Sequence, residues 1–486
     1  MILKELLNGL DYDVLQGSVD LDIQNVSYDS RTVEEGSMFV CIKGFQSDGH
    51  KYAQASIDKG ASVIVCQDNI ETENKDVTVI KIGDTRKALA IIGSNLYDNP
   101  SKKMKIIGVT GTNGKTTTAL MIKTILEAEG KKVGLIGTIA NYIGKEALET
   151  ERTTPESLEL QKLFSEMVAK GCEYCVMEVS SHSLDLDRVY GVEFEVGIFT
   201  NLTRDHLDFH KTFENYYKAK YKLFERSNIK VVNIDDEYGK RVVEDLNNSN
   251  ETNIYTYSIK SESDFKAYDE VCESKHIAFK IKLNNNTENF IVGLPGEFNI
   301  YNSLGAIGAT LNLGISLESV KKGIEEVVVP GRSEMVGKKY NLPYTIILDY
   351  AHTPDGLDNI LKTARGFTKN RLISVFGCGG DRDRVKRPQM GKIASDLSDI
   401  AIVTSDNPRT EDPMFIINEI LGGIEKENYE VIENRKDAIK RAIEIAEAGD
   451  VIVIAGKGHE TYQILNTGKI HFDEREVVDD ILKDMF

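Results

Sequence analysis

Residues 108–118 read Gly-Val-Thr-Gly-Thr-Asn-Gly-Lys-Thr-Thr-Thr, between a short apolar run at 105–110 and a run from Thr116 to Glu129 with helical apolar spacing. This is phosphate-binding chemistry. Gly111, Asn113 and Gly114 leave the backbone bare enough for its N–H groups to wrap around phosphate oxygens, and the helix that follows adds the positive end of its dipole. Lys115 can reach β- and γ-phosphates, and the Thr116 hydroxyl can ligate Mg²⁺; Thr112 and Thr117 are expected to line the same ATP site. The usual pattern has a glycine five residues before Gly114, where this chain has Val109, so the loop is a variant. A tight strand–helix turn that binds nothing is the bland alternative; the preferred reading is an ATP site.

Further polar constellations fall where apolar runs end. Glu178 sits in Cys-Val-Met-Glu-Val, a setting in which an unpaired carboxylate is costly, so it calls for a cation: Mg²⁺, or a core Arg or Lys. Thr200–His210 packs two His and two Asp into six residues, a density suited to metal or phosphate contacts. Asp349-Tyr-Ala-His352-Thr-Pro-Asp355 passes from strand to helix, with Thr353 as the N-cap. Ser405–Thr410 offers a carboxylate, an amide and a guanidinium within four residues, which suits an amino acid with ammonium and carboxylate ends. Ala455-Gly-Lys-Gly-His-Glu460 is glycine-rich, with Glu460 available to an amine. Lys218, Lys220 and Lys222 lie on one basic helix, and composition does not choose among them. The basic cluster Arg382, Arg384, Lys386 and Arg387 reads by default as a solvated loop.

The elements that must position these groups alternate. Residues 1–100 form a small α/β unit with strands at 26–27, 38–42, 61–66 and 77–82 and a helix at 52–59. Residues 101–332 continue as a mostly parallel sheet, with strands near 132–137, 174–180, 192–200 and 229–234 and helices near 156–169, 213–226, 237–247, 299–313 and 317–327. Within it, 254–293 reads as a short antiparallel extension. Pro330-Gly331-Arg332 punctuates the boundary to residues 333–486, a doubly wound, Rossmann-like domain with strands near 344–349, 371–377, 400–404 and 451–455. In such folds ligands bind at the carboxyl ends of the strands. The fold class is therefore α/β in three domains.

The 486 residues, 41% hydrophobic and 28% charged with 9 prolines, suffice for about three cores and argue against long disorder. No apolar run approaches the roughly 20 residues needed to span a bilayer, and the acidic residue near the N-terminus argues against a secretion signal. The six cysteines are scattered, and Cys172-x-x-Cys175 lacks a second ligand pair, which fits buried thiols in a reducing cytoplasm. A net charge of −18 disfavours nucleic acid as a partner, so any anionic substrate must be held by local basic groups.

Taken in this order, the segments resemble the Mur ligases of peptidoglycan synthesis, in particular the diaminopimelate-adding branch, over all three domains. The resemblance implies a first domain for the UDP-sugar, a central one for ATP and a last one for the incoming amino acid. It places uridine-side contacts on Tyr28, Ser30, Phe45, Gln46 and Ser47. Muramyl-peptide contacts fall on Thr153, Thr154, Ser180 and Arg188, with Arg152 and Leu186 departing from the residues relatives often carry. Magnesium ligands fall on Glu178, His206 and Thr116. Asn299 and Asn302 match adenine-side asparagines, with Arg332 and Asp349 near the nucleotide. The family's carbamylated lysine, formed with CO₂, lands on Lys220 and would hold a second Mg²⁺.

Diaminopimelate contacts land on Arg382, Asp406, Asn407, Pro408, Arg409, Gly456 and Glu460. Lysine-adding relatives lack this Arg, and diaminopimelate is lysine with an extra carboxylate that Arg409 can pair. The implied reaction is attack of the D-glutamyl γ-carboxylate of UDP-N-acetylmuramoyl-L-alanyl-D-glutamate on ATP, then attack of the meso-diaminopimelate amine on the acyl phosphate. Lys115 neutralises developing charge and His352 is a candidate base. A cytoplasmic monomer is expected. The rivals are a lysine-adding ligase, a folate polyglutamate ligase of related architecture, and a nucleotide-driven switch without ligase chemistry.

Overall fold

The computed structural model describes residues 1–44, 47–150, 152–272, 276–284 and 286–485. The chain forms two compact units, one of Met1–Gly108, Lys132–Glu195 and Lys222–Ser227, the other of Val109–Lys131, Val196–Tyr221 and Asn228–Phe486. The fold is α/β, as expected.

In the first unit, the strands Asn25–Ser27, Ser37–Val40, Val63–Cys66 and Thr78–Ile82 run parallel, and Tyr12–Gln16 closes one edge antiparallel. Successive side chains point to opposite faces of a strand. Met38, Val40, Val63 and Val65 therefore pack beneath the helix Thr85–Leu96, while Phe39, Cys41, Ile64 and Cys66 pack beneath Ala53–Asp58. The Asp84 carboxylate caps Thr85–Leu96 by accepting from the Arg86 and Lys87 amides. The sequence reading omits both this helix and Tyr12–Gln16. The strand's three central residues are exposed, so it carries no alternation to read. The same unit holds the parallel pair Val133–Ile136 and Tyr174–Glu178, the hairpin Asn141–Ile143/Glu146–Leu148, and the helix Ser157–Ala169.

In the second unit, Ile254–Ser258 pairs parallel with Ser227–Asn233 and Phe265–Cys272 pairs parallel with Ile254–Ser258, and only Ile277–Leu283 and Asn286–Val292 are antiparallel. This corrects the wholly antiparallel extension read from the sequence. Alternation reports which face of a strand is buried, and it carries no information on strand direction.

The C-terminal sheet has the order Glu334–Val336, Thr345–Asp349, Val451–Ala455, Leu372–Phe376, Ile400–Val403, Tyr429–Val431, parallel except for its first strand. Its buried residues divide into two cores. One lies under Pro354–Phe367, Lys386–Leu397 and Pro413–Leu421, the other under Arg435–Glu444 and Glu474–Met485. This is double winding. It brings the loops after Asp349, Phe376, Val403 and Ala455 to one carboxyl crest.

Candidate functional site

The strand Lys105–Thr110 leads into the loop 111–114, and the helix Lys115–Ala128 follows. Gly111 and Gly114 have φ of +152° and +85°; a Cβ would lie 1.8 Å from Thr200 Oγ1 at Gly111 and 2.3 Å from Asn302 Oδ1 at Gly114. Both positions exclude a side chain. Val109 is fully buried in the strand, so the position where the usual pattern has glycine belongs here to the core, and the turn begins at Gly111. Lys115 Nζ donates to the carbonyls of Gly111 at 2.9 Å and Thr112 at 2.8 Å. Asn113 N donates to Asn201 Oδ1 at 2.9 Å, and its Nδ2 donates to Asp355 Oδ2 at 2.6 Å.

A cavity of about 620 Å³ opens beside this loop; Asn113, Gly114, Thr117, Asn302, Arg332 and Asp349 are among its walls, and Thr116 and His352 also line it. The size is that of a small-molecule or cofactor site. Asn299 is not among the lining residues. Its Oδ1 accepts from Asn302 Nδ2 at 2.9 Å, and its own Nδ2 donates to Pro295 O at 2.7 Å, so it orients Asn302 from behind. Asp349 accepts from Ser333 N at 2.7 Å and Ala351 N at 2.8 Å; burial raises its pKa, against the charge of Arg332. The Arg332 guanidinium lies over the Tyr350 ring, 4.4 Å from its centroid. Thr353 caps Pro354–Phe367 as expected, accepting from Gly356 N at 3.1 Å. At the boundary, Gly331 has φ +66° and a Cβ there would sit 2.2 Å from His459 N. Gly331→Ala is expected to cost about 1–3 kcal/mol of stability, read in denaturant unfolding, because it adds both strain and a backbone clash.

Burial chooses among the three lysines of Phe213–Tyr221 and its continuation. Lys218 is exposed and pairs with Glu214, and Lys222 is half-buried near Asp185. Lys220 is 1% exposed; its Nζ donates to Gly111 O at 2.7 Å and lies 4.6 Å from the Tyr216 ring centroid. Burial, and then Lys115, press its pKa well below the ordinary lysine value. Asp205 is largely withdrawn from water, which opposes its ionisation, but His206, the Lys386 ammonium and the His206 amide that donates to it hold its carboxyl below the usual carboxylate range. His206 adopts φ +53° with Nε2 3.3 Å from Asp205. His352 Nδ1 lies 2.8 Å from Tyr350 O, and burial with Lys386 lowers its pKa to about 4. It is therefore neutral at physiological pH.

In the first unit, Glu178 is 2% exposed and accepts from Thr138 N at 2.9 Å and Thr138 Oγ1 at 3.0 Å. Thr153 Oγ1 lies 3.0 Å from Thr138 Oγ1; Thr154 Oγ1 donates to Glu178 O at 2.8 Å; Arg188 Nη1 donates to Thr154 O at 3.1 Å. Ser180 N donates to Thr154 Oγ1 at 3.2 Å, so these five expected residues form one network. Tyr28, Arg152 and Leu186 share a cavity of about 120 Å³ with Arg86, which sequence reasoning missed. Ser30 O accepts from Lys59 Nζ at 2.7 Å, and Ser47 Oγ donates to Tyr52 Oη at 3.1 Å. Phe45 and Gln46 lie outside the described residues.

On the carboxyl crest of the C-terminal sheet, the residues expected to bind an amino acid converge. Asn407 Nδ2 donates to Glu460 Oε2 at 3.0 Å, and the Gly456 Cα is so close to Asp406 that a Cβ would lie 2.6 Å from Oδ2. Arg409 Nη1 donates to Gly380 O at 2.9 Å, and the charge of Arg382 adds to burial in lowering its pKa. Two neighbouring guanidiniums, one half-buried, form a place for an anion. Pro408 completes the turn, its carbonyl packed so tightly on Gly380 that a Cβ there would lie 1.9 Å from it.

The solvated-loop reading of the basic cluster needs correction. Arg382 and Arg384 are exposed, but Lys386 and Arg387 are buried. Arg387 donates to Glu411 at 2.8 Å and 2.9 Å and to Glu419 at 2.5 Å, because Arg387 lies in the first turn of the helix Lys386–Leu397, which packs beside Pro413–Leu421 and the loop that leads into it. That bonding holds the Glu411 pKa at about 2 instead of 4.5. The stability it lends is complete above pH 4.5 and disappears as pH falls toward 2. Glu411→Gln is therefore expected to flatten the acid limb of thermal unfolding over that window.

Comparison with known proteins decides the family. The description "Mur ligase middle domain" matches residues 109–310, "Mur ligase, glutamate ligase domain" matches 331–458, and "Mur ligase family, catalytic domain" matches 22–97. The chain belongs to the Mur ligase family. It is 60% identical, over 99% of its length and 100% of the relative's, to the UDP-N-acetylmuramoyl-L-alanyl-D-glutamate–2,6-diaminopimelate ligase of Clostridium perfringens. It is 47% identical to the ligase of that name in Clostridioides difficile, over 100% of both chains. Among solved structures, a ligase of that name superposes with TM-score 0.71 at 31% identity, covering 100% of this chain and 99% of that one. The MurF ligase of Thermotoga maritima shares the fold, with TM-score 0.62 at 18% identity over 95% of this chain and 97% of that one. As a Mur ligase, this chain carries its loops for chemistry on the same framework.

Proposed function

We propose that this ligase uses ATP to join meso-diaminopimelate to UDP-N-acetylmuramoyl-L-alanyl-D-glutamate. The observation that carries the reading is the crest of the C-terminal sheet. There Arg409 and Arg382 offer positive charge for carboxylates, and Asp406 and Glu460 offer negative charge for ammonium groups. Diaminopimelate carries two of each.

The D-glutamyl γ-carboxylate of the acceptor attacks the γ-phosphate of ATP, giving an acyl phosphate and ADP. The diaminopimelate amine then attacks the acyl carbon and phosphate leaves. Charge that spreads over the phosphoryl oxygens is met by the Gly114 amide, by the N-terminal end of the helix Lys115–Ala128 and by Lys115, whose ammonium must leave the Gly111 and Thr112 carbonyls to reach it. His352 is neutral and donates from Nδ1 to Tyr350 O, which leaves Nε2 as the acceptor for an amine proton.

The resemblance also implies magnesium and a lysine carbamate. Lys220 fits the second: only an uncharged amine takes up CO₂, forming the N–C bond with release of a proton, and burial beside Lys115 favours the uncharged form. Thr116, His206 and a Lys220 carbamate would then be the groups in the second unit to hold Mg²⁺, with Glu178 the candidate in the first, and the bound ion would supply charge neutralisation at the phosphates. The domains we assign are 1–100, 101–332 and 333–486, for UDP-sugar, ATP and amino acid. We take the protein to be a cytoplasmic monomer; among the described residues no helix is long and apolar enough to cross a membrane.

Phosphate release with the UDP-muramyl dipeptide, comparing diaminopimelate, lysine and no amino acid, tests the reading. Turnover is expected with diaminopimelate alone; equal turnover with lysine would refute the substrate assignment.

A further inference from the structure

Lys457 is fully buried between two loops of the carboxyl crest, yet it lies outside every set of expected contacts. Its Nζ donates to Asn407 Oδ1 at 3.0 Å, Glu460 Oε2 at 3.2 Å and Tyr462 O at 2.7 Å. These three acceptors come from the loop after Ile400–Val403, the loop after Val451–Ala455, and the hairpin Tyr462–Leu465/Gly468–His471. An ammonium has three protons, and each has an acceptor. Asn407 is 4% exposed, and its Oδ1 also accepts from Ile464 N at 2.9 Å. With both donors on Oδ1, the amide can present only Nδ2 to Glu460, which it does at 3.0 Å. Two donors therefore converge on Glu460 Oε2.

We propose that Lys457 is a positioning residue of the amino-acid pocket: it sets the amide orientation of Asn407 and the rotamer of Glu460, and through them the affinity for the amino-acid substrate. This rests on the reading of Asn407 and Glu460 as substrate contacts. A lysine that only filled space would not need to be charged, since a buried ammonium is costly unless its partners are in place.

The test measures phosphate release with ATP and the UDP-muramyl dipeptide while diaminopimelate is varied, in Lys457→Met, Glu460→Gln and the double variant. Lys457→Met is expected to raise KM for diaminopimelate about tenfold or more. Its kcat and its KM for ATP should stay within about threefold of the parent. The double variant should match Glu460→Gln, because both act on one arrangement. An unchanged diaminopimelate KM in Lys457→Met overturns the proposal, as do effects that add in the double variant or a parallel rise in the KM for ATP. Should Lys457→Met fail to bind ATP, the double variant decides: it removes both charges of the pair, so recovered folding with the Glu460→Gln KM supports the proposal, and continued loss overturns it. If Glu460→Gln itself leaves the diaminopimelate KM unchanged, the contact reading fails separately.

Discussion

Lys220→Ala is expected to lower ligation by about a thousandfold, the scale of losing a group that stabilises developing charge at a reaction centre. The amine is buried with its Nζ on the Gly111 carbonyl, inside the phosphate loop and beside Lys115. Burial and Lys115 disfavour an ammonium there, whereas a carbamate would be an anion placed among the groups proposed to hold Mg²⁺. Bicarbonate depletion should therefore lower the activity of the parent protein and leave Lys220→Ala unchanged, and labelled bicarbonate should give a carbamate signal that the variant lacks. A variant retaining more than about a tenth of the parent rate would sink the assignment.

The same depressed pKa has a consequence for stability. Because the folded-state pKa of Lys220 is lowered, the unfolded chain binds protons there more tightly than the folded chain, so the unmodified lysine destabilises the fold below the ordinary lysine pKa, and this effect shrinks as pH rises toward it. Carbamylation removes it, so bicarbonate should raise the thermal midpoint of the parent at neutral pH and not that of Lys220→Ala.

Arg409→Gly is expected to lower kcat/KM for diaminopimelate by about a hundredfold while leaving the poor use of lysine unchanged, so that the selectivity ratio collapses. The guanidinium is half-buried next to Arg382, where a carboxylate is held by charge-assisted hydrogen bonds and a substrate lacking that carboxylate leaves the charge unpaired. Glycine is the informative replacement. Arg409 has φ +54°, a left-handed conformation that costs a side-chain-bearing residue about 1–2 kcal/mol and that glycine adopts freely. The turn itself is held by Arg409 N donating to Ile464 O at 3.1 Å, a bond glycine retains. Arg409→Gly thus removes the guanidinium without damage to the backbone, and unchanged selectivity in a stably folded variant would refute the role given to Arg409.

The local chemistry was legible in the chain alone, because it resides in consecutive residues. Gly111 and Gly114 mark a loop that leaves no room for Cβ atoms, Thr353 caps the helix that Pro354 opens, and apolar runs mark the strands whose ends carry the polar loops. The double winding of the C-terminal sheet followed from the alternation of strand and helix. What only the tertiary structure decided is which polar groups are buried and with whom. Lys218, Lys220 and Lys222 are chemically alike, and folding alone places the second of them on a carbonyl 109 positions away. Arg387 reads as solvated until Glu411 and Glu419 close on it, and Lys457 reads as part of a glycine-rich turn until Asn407, 50 positions earlier, meets it. The direction of Ile254–Ser258 and Phe265–Cys272 was hidden in the same way. Side-chain spacing encodes a face and a local turn, whereas partners and pKa values depend on distances that exist only after the sheets have assembled.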